Sequence, residues 1–496
     1  MKYKPVAMKP QPHLLGDATL QRFIVDGHIT VKPTLPDTYH SALKNQLDAL
    51  IEKNGNPGND LLPQVSELAE LFADPAVDGA LTSLLGPDYI LHPHRHCHDW
   101  NPDSQAQAWH KDYPITGHPR CHRGRWLLLL YYPQTITQHM GPTAIQPRTQ
   151  HYMDATPDAP GLELCVEAGT VVIAHYDIWH KATANTSDQT RYMLKFLFGR
   201  RAEPTAPAWD THGAAWTPAE GDHRTLSRRM WHWHRGEESP ALAAMDPRDI
   251  NARIRELDEP DPHIRRRAAD DLGLARANEA VPALTARLQD TDEPVRLNAA
   301  YALAAQGAVG PLLDALRREA PEHWQANLDR GDFTSPSQLN AVYGLAAAGS
   351  AALNPLIEVL ADGEDSVRAA AATALGHIGR DARPALSALA AALNDENEWV
   401  RRHAAEAIGQ IGPEDITAQA LLGALDDYRP VTRWSLSTDS LRETAASTLA
   451  RMTPLPPTAQ QPLDAVRDDE NAIYTRMGRY CLGPTRQFTD ALTLWE

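Results

Sequence analysis

The chain has 496 residues, 42% of them hydrophobic, with 47 Lys+Arg against 64 Asp+Glu and a formal net charge of −17. That length exceeds one ordinary core, so at least two domains are expected. No run of about 18 apolar residues occurs, the opening MKYKPVAMKPQPHLLGD has no apolar signal core, and Cys97, Cys121, Cys165 and Cys481 are scattered without a CxxC; membrane insertion, export and a disulfide scaffold are not expected, and a reducing cytoplasm is.

In chain order, Thr38 to Lys53 and Leu61 to Leu85 read as helices flanking a β-core. Between about residues 85 and 200 the pattern is that of strands: Tyr89 to Asp99 alternates, Arg125 to Tyr132 (RWLLLLYY) is a buried run, and Gly169 to Ala174 and Arg191 to Phe198 follow. Strands with long connections and an interior site predict a jelly-roll (double-stranded β-helix) barrel with flanking helices. The expected division is residues 1–240 as this barrel unit, 241–257 as linker, 258–452 as an α-solenoid, and 453–496 as a tail with enough aromatics to pack back.

Beyond residue 258 the chain becomes Ala- and Leu-rich and self-similar. Asp261-Pro-His-Ile-Arg265 recurs as Asp292-Glu-Pro-Val-Arg296, then at Val367-Arg368, Val400-Arg401 and, weakly, Leu441-Arg442; Asn340 to Leu345 marks a copy without the arginine. Arg265 to Arg296 spans 31 residues and Arg368 to Arg401 spans 33, the period of a two-helix repeat. This half resembles HEAT repeats over roughly 258–452. Pro282, Pro311, Pro355 and Pro384 fit the starts of second helices. The acids four residues before Arg265, Arg296 and Arg368 are expected to fix turns or stack units. Glu319 to Pro336 interrupts the period and is a possible contact for a partner or for the first domain. Residues 1–240 hold 22 basic against 26 acidic residues, leaving 25 against 38 of the chain's 47 and 64 for the rest. So acidic a second half argues against a nucleic-acid partner.

The chemistry concentrates in Trp109-His110-Lys111-Asp112 and in Gly169 to Arg191. Side chains two apart on a strand leave by one face, so His110 and Asp112 can grip one ion. His180 is the best-placed third ligand; His175 competes, but the five-residue offset puts the two on opposite faces of an uninterrupted strand. Two imidazoles and a carboxylate on one face of Fe(II) leave three positions open for oxygen activation. Arg191 opens the next strand, where its planar fork suits a distal carboxylate.

Residues 89–200 resemble the phytanoyl-CoA dioxygenase family of Fe(II)/2-oxoglutarate oxygenases. His110-Lys111-Asp112 looks like the HxD pair, Gly141 to Thr149 (GPTAIQPRT) is similar to the family's turn, and His180, Asn185, Ser187 and Arg191 follow in its register, His180 and Arg191 eleven apart. The resemblance implies Fe(II) held by His110, Asp112 and His180, 2-oxoglutarate taken by Arg191, O2 as co-substrate, and a hydroxylation. The family usually has a small hydroxyl residue two after the distal histidine; here that is Ala182, and Thr183 is expected to compensate.

His92, His94, His96 and His98 share one face of a strand, a pocket wall or a second metal site; His94, His96, Trp109 and Tyr113 are the candidate substrate contacts, with Trp100 adding to the aromatic wall. Arg120, Arg123 and Arg125 form a basic cluster after the HxD pair. The expected function is hydroxylation of an unactivated C–H bond in a small metabolite or a peptide- or protein-bound substrate, with the HEAT repeats recruiting or covering it or meeting a protein partner. Two alternatives are a HEAT scaffold with a degenerate barrel, and a metal-dependent isomerase or hydrolase with no use for Arg191.

Overall fold

A computed structural model describes residues 11–112, 122–153, 161–217, 223–237, 246–330, 339–427, 441–449, 452 and 455–463. Helix α1 (Asp17–Asp26) leads into β1 (His28–Val31), then α2 (Asp37–Asn54), α3 (Leu61–Gln64), α4 (Leu68–Ala73) and α5 (Pro75–Leu85). The single helix expected over Leu61 to Leu85 is thus three. Asp74 accepts from the N–H groups of Ala76 and Val77, and Pro75 takes the first helical position, so a new helix begins there.

Strands β2 (Ile90–Trp100), β3 (Trp126–Tyr132), β4 (Thr143–Ile145), β5 (Leu162–Glu163), β6 (Thr170–His175), β7 (His180–Ala182) and β8 (Arg191–Gly199) follow. They form a five-stranded sheet in the order β1-β6-β3-β8-β2 and a three-stranded sheet in the order β5-β4-β7, with antiparallel pairing throughout. This is the two-sheet architecture expected of a jelly roll. Strand alternation divides the large sheet cleanly. Leu127, Leu129 and Tyr131 of β3 and Tyr192, Leu194, Phe196 and Phe198 of β8 pack outward with the helices. Leu128, Leu130, Tyr132, Met193 and Leu197 point into the barrel. Burial on both faces explains why β3 reads as a continuous apolar run.

Helix α6 (Arg224–His234) precedes the repeats, and α7 (Pro247–Glu256) packs on the first of them. The repeats pair α8 (Pro262–Ala275) with α9 (Val281–Arg287), α10 (Glu293–Ala305) with α11 (Val309–Arg330), α12 (Asn340–Ala348) with α13 (Ser350–Asp362), α14 (Asp365–Ile378) with α15 (Leu386–Ala392), and α16 (Glu398–Ile411) with α17 (Asp415–Ala424). Helix α18 (Leu441–Leu449) stacks on α16 and α17. Pro282 sits in the first turn of α9, but Pro355 lies inside α13. The interruption at Glu319 is a prolonged α11 that carries Pro321 within it; residues 331–336 lie outside the described residues. The repeat arginines are structural, with a partner other than the acid four residues earlier. Arg265 binds Asp290 at 2.9 and 2.8 Å, and Arg368 binds Asp395 at 3.0 and 2.8 Å. Asp261 instead caps α8. Each planar fork therefore closes onto the turn ahead of the next repeat. Of the tail, Ala459 and Leu463 bury in the solenoid core; residues 464–496 lie outside the described residues.

The two halves are joined along the helix ends of the solenoid. The Asp270 carboxylate of α8 accepts from the backbone N–H groups of Arg224 (3.0 Å) and Thr225 (2.8 Å) and pairs with the Arg224 guanidinium (2.8 Å), so the solenoid caps α6. Arg229 donates to the carbonyl of Ala347 at the end of α12, and Arg125 reaches Gln410 on α16 at 3.2 Å. His122 stacks on Tyr343 with ring centroids 3.9 Å apart. Its Nε2–H donates to the His151 carbonyl, and its Nδ1 accepts from the Tyr301 hydroxyl at 2.8 Å. Leu297, Tyr301 and Tyr343 accordingly belong to the outer core of the barrel.

Two outcomes follow from this junction. Asp270 is 2% exposed, and Asp270→Ala is expected to lower stability by about 3 kcal/mol in denaturant titrations of the full chain. Removal of the exposed Asp314 carboxylate should change it by less than about 0.5 kcal/mol. Burial pushes the His122 imidazole down to about 3, aided by the neighbouring His175. It is therefore neutral in the fold while the unfolded chain takes up a proton below about 6.5, so its contribution is complete above that pH and is lost as pH falls. Between pH 6.5 and 5 the stability slope of His122→Gln should be shallower than wild type by up to about 1.4 kcal/mol per pH unit.

Candidate metal centre

Backbone pairing creates the site. His110 follows a long loop and meets the first residue of β7 in an antiparallel bridge: His110 N–H donates to the His180 carbonyl at 3.0 Å, and His180 N–H returns to the His110 carbonyl at 2.9 Å. The two imidazole centroids then lie 4.5 Å apart. Each Nδ1 faces a carbonyl of its own chain segment, Ala108 for His110 (3.0 Å) and Ile178 for His180 (3.1 Å). A carbonyl only accepts, so the proton sits on Nδ1 and each Nε2 keeps its lone pair. Asp112, two residues on, brings Oδ1 to 3.7 Å from His180 Nε2.

One donor atom from each of His110, Asp112 and His180 lies within 4.8 Å of the others, the one such cluster of three among the described residues. Burial pushes the Asp112 carboxyl up, but the Lys195 ammonium beside it, together with His180 and His110, holds it well below the usual carboxylate range. Burial lowers His180 as well. An anionic oxygen and two imidazole nitrogens fit a divalent iron. His175 is not part of this set. It ends β6 and accepts from the Asp177 N–H through Nδ1 at 3.1 Å, beside His151 on the solenoid side.

Arg191 begins β8, 1% exposed. Its Nε donates to the Gly141 carbonyl at 3.1 Å and its guanidinium lies 5.9 Å from the Trp100 ring. Gly141 has φ +68°, and a Cβ there would meet Trp100 at 2.7 Å, so this turn needs glycine. Among the described residues Arg191 Nη1 is buried without a hydrogen-bond partner, and the Tyr132 hydroxyl near it shares a hydrogen bond with the Thr143 hydroxyl. Orphaned buried donors of this kind are costly and call for a polar guest, and a carboxylate meets the need. The Thr183 hydroxyl is engaged by the Pro142 carbonyl at 2.9 Å.

His96 and His98 face the barrel interior opposite Lys195 and Met193, with their rings 4.7 Å apart. Burial, with Lys195 nearby, pushes His98 down to about 2, and its Nε2 has no partner among the described residues. The strand register shifts between Leu91 and Arg95; the side chains of His92 and His94, and all of Tyr113 and Arg120, lie outside the described residues. Trp109 stands under the Lys181 ammonium at 4.6 Å. Arg123 and Arg125 pair with Glu203, turned toward the solenoid.

Lys195, Tyr132 and Thr143 were not singled out from the sequence. Lys195 had a signal, since a residue four beyond Arg191 on one strand shares its face. Tyr132 and Thr143 gave none beyond the apolar run and the turn that carry them.

Residues 27–193 match the family model described as phytanoyl-CoA dioxygenase, and residues 250–324 and 353–438 match HEAT repeats. No curated protein matches the chain. Similar solved structures include the non-heme alpha ketoglutarate dependent carbocyclase SnoK from nogalamycin biosynthesis, at 20% identity and TM-score 0.32, covering 42% of this chain and 96% of that one. The non-heme monooxygenase ThoJ in its nickel complex is 16% identical, TM-score 0.31, covering 40% and 87%. CytC3 with Fe(II) and alpha-ketoglutarate is 14% identical, TM-score 0.32, covering 38% and 79%. The chain thus joins a domain matched by the phytanoyl-CoA dioxygenase family model to HEAT repeats.

Proposed function

We propose that His110, Asp112 and His180 hold the iron, that Arg191 binds the distal carboxylate of 2-oxoglutarate, and that the enzyme hydroxylates an unactivated C–H bond. The observation that carries this reading is the convergence of the three donor atoms within 4.8 Å inside a barrel whose buried arginine has an Nη1 with no partner among the described residues. Bound Fe(II), with 2-oxoglutarate and O2, supplies the oxidising power: one oxygen atom enters the substrate as R–OH, the other enters succinate, and CO2 leaves.

The chain's own groups do the rest. The carbonyls of Ala108 and Ile178 fix both imidazoles with Nε2 toward the metal. Arg191 Nη1 offers a donor to the co-substrate's far end, with the hydrogen-bonded Tyr132 and Thr143 hydroxyls near it. Leu128, Leu130, Val172, Met193 and Leu197 exclude water around it. Asp112 occupies the place a halide would need, which favours hydroxylation over halogenation. His96, His98 and Trp109 are the proposed substrate wall.

The substrate is a small metabolite or a peptide- or protein-bound group, and the HEAT repeats cover or recruit it. A groove of about 740 Å³ between α6 and the ends of α10, α12 and α14, lined by Arg123, Trp233, Tyr301, Tyr343 and His377, supports a shared surface of that kind.

Anaerobic addition of Fe(II) and 2-oxoglutarate to the full chain should give the weak visible charge-transfer band of a chelated oxo-acid. His180→Ala should abolish it. Arg191→Ala should demand roughly 10- to 100-fold more 2-oxoglutarate, the worth of a charge-assisted pair. Absence of the band from iron-loaded wild type would overturn the proposal.

A further inference from the structure

Lys195 is a charged residue in the middle of the most apolar strand of the chain. Strand β8 reads RYMLKFLFG, every residue is buried, and Lys195 is 9% exposed. Alternation places it on the face of Arg191, Met193 and Leu197, inside the barrel. Its register partners are His96 on β2 and Leu130 on β3. Lysines are seldom buried this far unless paired.

The partner is Asp112. Lys195 Nζ lies 3.1 Å from Asp112 Oδ2, while Oδ1 turns toward His180 Nε2 at 3.7 Å. The two carboxylate oxygens are therefore divided: one is held by an ammonium, the other faces the imidazole. Stability alone is a poor reason for such a pair, because buried ion pairs are often matched or bettered by apolar residues of similar volume. Orientation is a better one. A carboxylate can bind a metal through one oxygen or through both, and the second oxygen would fill a position that the co-substrate and O2 require.

We propose that Lys195 is a positioning residue: by holding Asp112 Oδ2 it limits Asp112 to one-oxygen ligation through Oδ1 and keeps the remaining metal positions open. This rests on the preceding assignment of Asp112 as a ligand. The choice of lysine fits the role. An ammonium is a compact point charge that can serve one oxygen, whereas the arginine fork matches both oxygens of a carboxylate and would compete for Oδ1.

The test uses Co(II) in the full chain, whose visible absorption reports coordination number, followed by anaerobic titration with 2-oxoglutarate. Wild type should bind one Co(II) through the trio and then chelate 2-oxoglutarate. Lys195→Met preserves length without the charge; it should still bind Co(II), with an altered visible spectrum before co-substrate and at least about ten-fold weaker 2-oxoglutarate binding. Identical spectra and affinities in wild type and Lys195→Met overturn the proposal while leaving the metal assignment intact. Failure of wild type to bind Co(II), or binding unaffected by His180→Ala, overturns the metal assignment itself. Should Lys195→Met not fold, a crystal structure of metal-loaded wild type decides: Lys195 on Oδ2 with Oδ1 alone on the metal is expected, and both oxygens on the metal overturn the proposal.

Discussion

Two hydrogen bonds between the backbones of His110 and His180 organise the catalytic half of this chain. They bring residues seventy positions apart into register at 3.0 and 2.9 Å, and everything at the centre inherits its place from them. Asp112 reaches the same point because it lies two residues beyond His110. Arg191 comes from the adjoining β8, whose alternation also delivers Lys195. The carbonyls of Ala108 and Ile178 then fix the imidazoles from behind. The two imidazoles are therefore oriented by the main chain rather than by metal.

The solenoid depends on the barrel as well as the reverse. An Asp270 carboxylate caps α6, Arg229 meets the last turn of α12, and His122 stacks on Tyr343. Basic groups from the first half thus approach helix C-termini, and an acid from the second approaches an N-terminus, as helix dipoles favour. The loop carrying His122 leads into β3, and the loop carrying His151 follows β4, so the repeats brace the segments around the metal site.

Much of this was legible in the sequence, for physical reasons. The HxD spacing survives because two residues along an extended segment share a face, and the eleven-residue step from His180 to Arg191 is one loop between β7 and β8. The repeats were legible because buried Ala and Leu recur with the helix-pair period. Other features were not. A lysine in an apolar strand carries no mark of its partner until Asp112 arrives from another segment. The repeat arginines suggested the acid four residues back, yet Arg265 and Arg368 reach Asp290 and Asp395, because the unit closes across the stack and not along one helix. Pro355 marks no helix start, since the turn at Gly349 had already begun α13. Docking of the two halves, which buries His122, His151, His175 and His223, left no local pattern at all.

The account turns on a single metal position shared by three residues from two segments. Anomalous diffraction from crystals of the full chain grown anaerobically with Fe(II) tests it most directly. One peak within bonding distance of His110 Nε2, Asp112 Oδ1 and His180 Nε2 is the predicted result. A peak on His96 and His98 instead, or no peak at the trio in crystals that bind iron elsewhere, would contradict it.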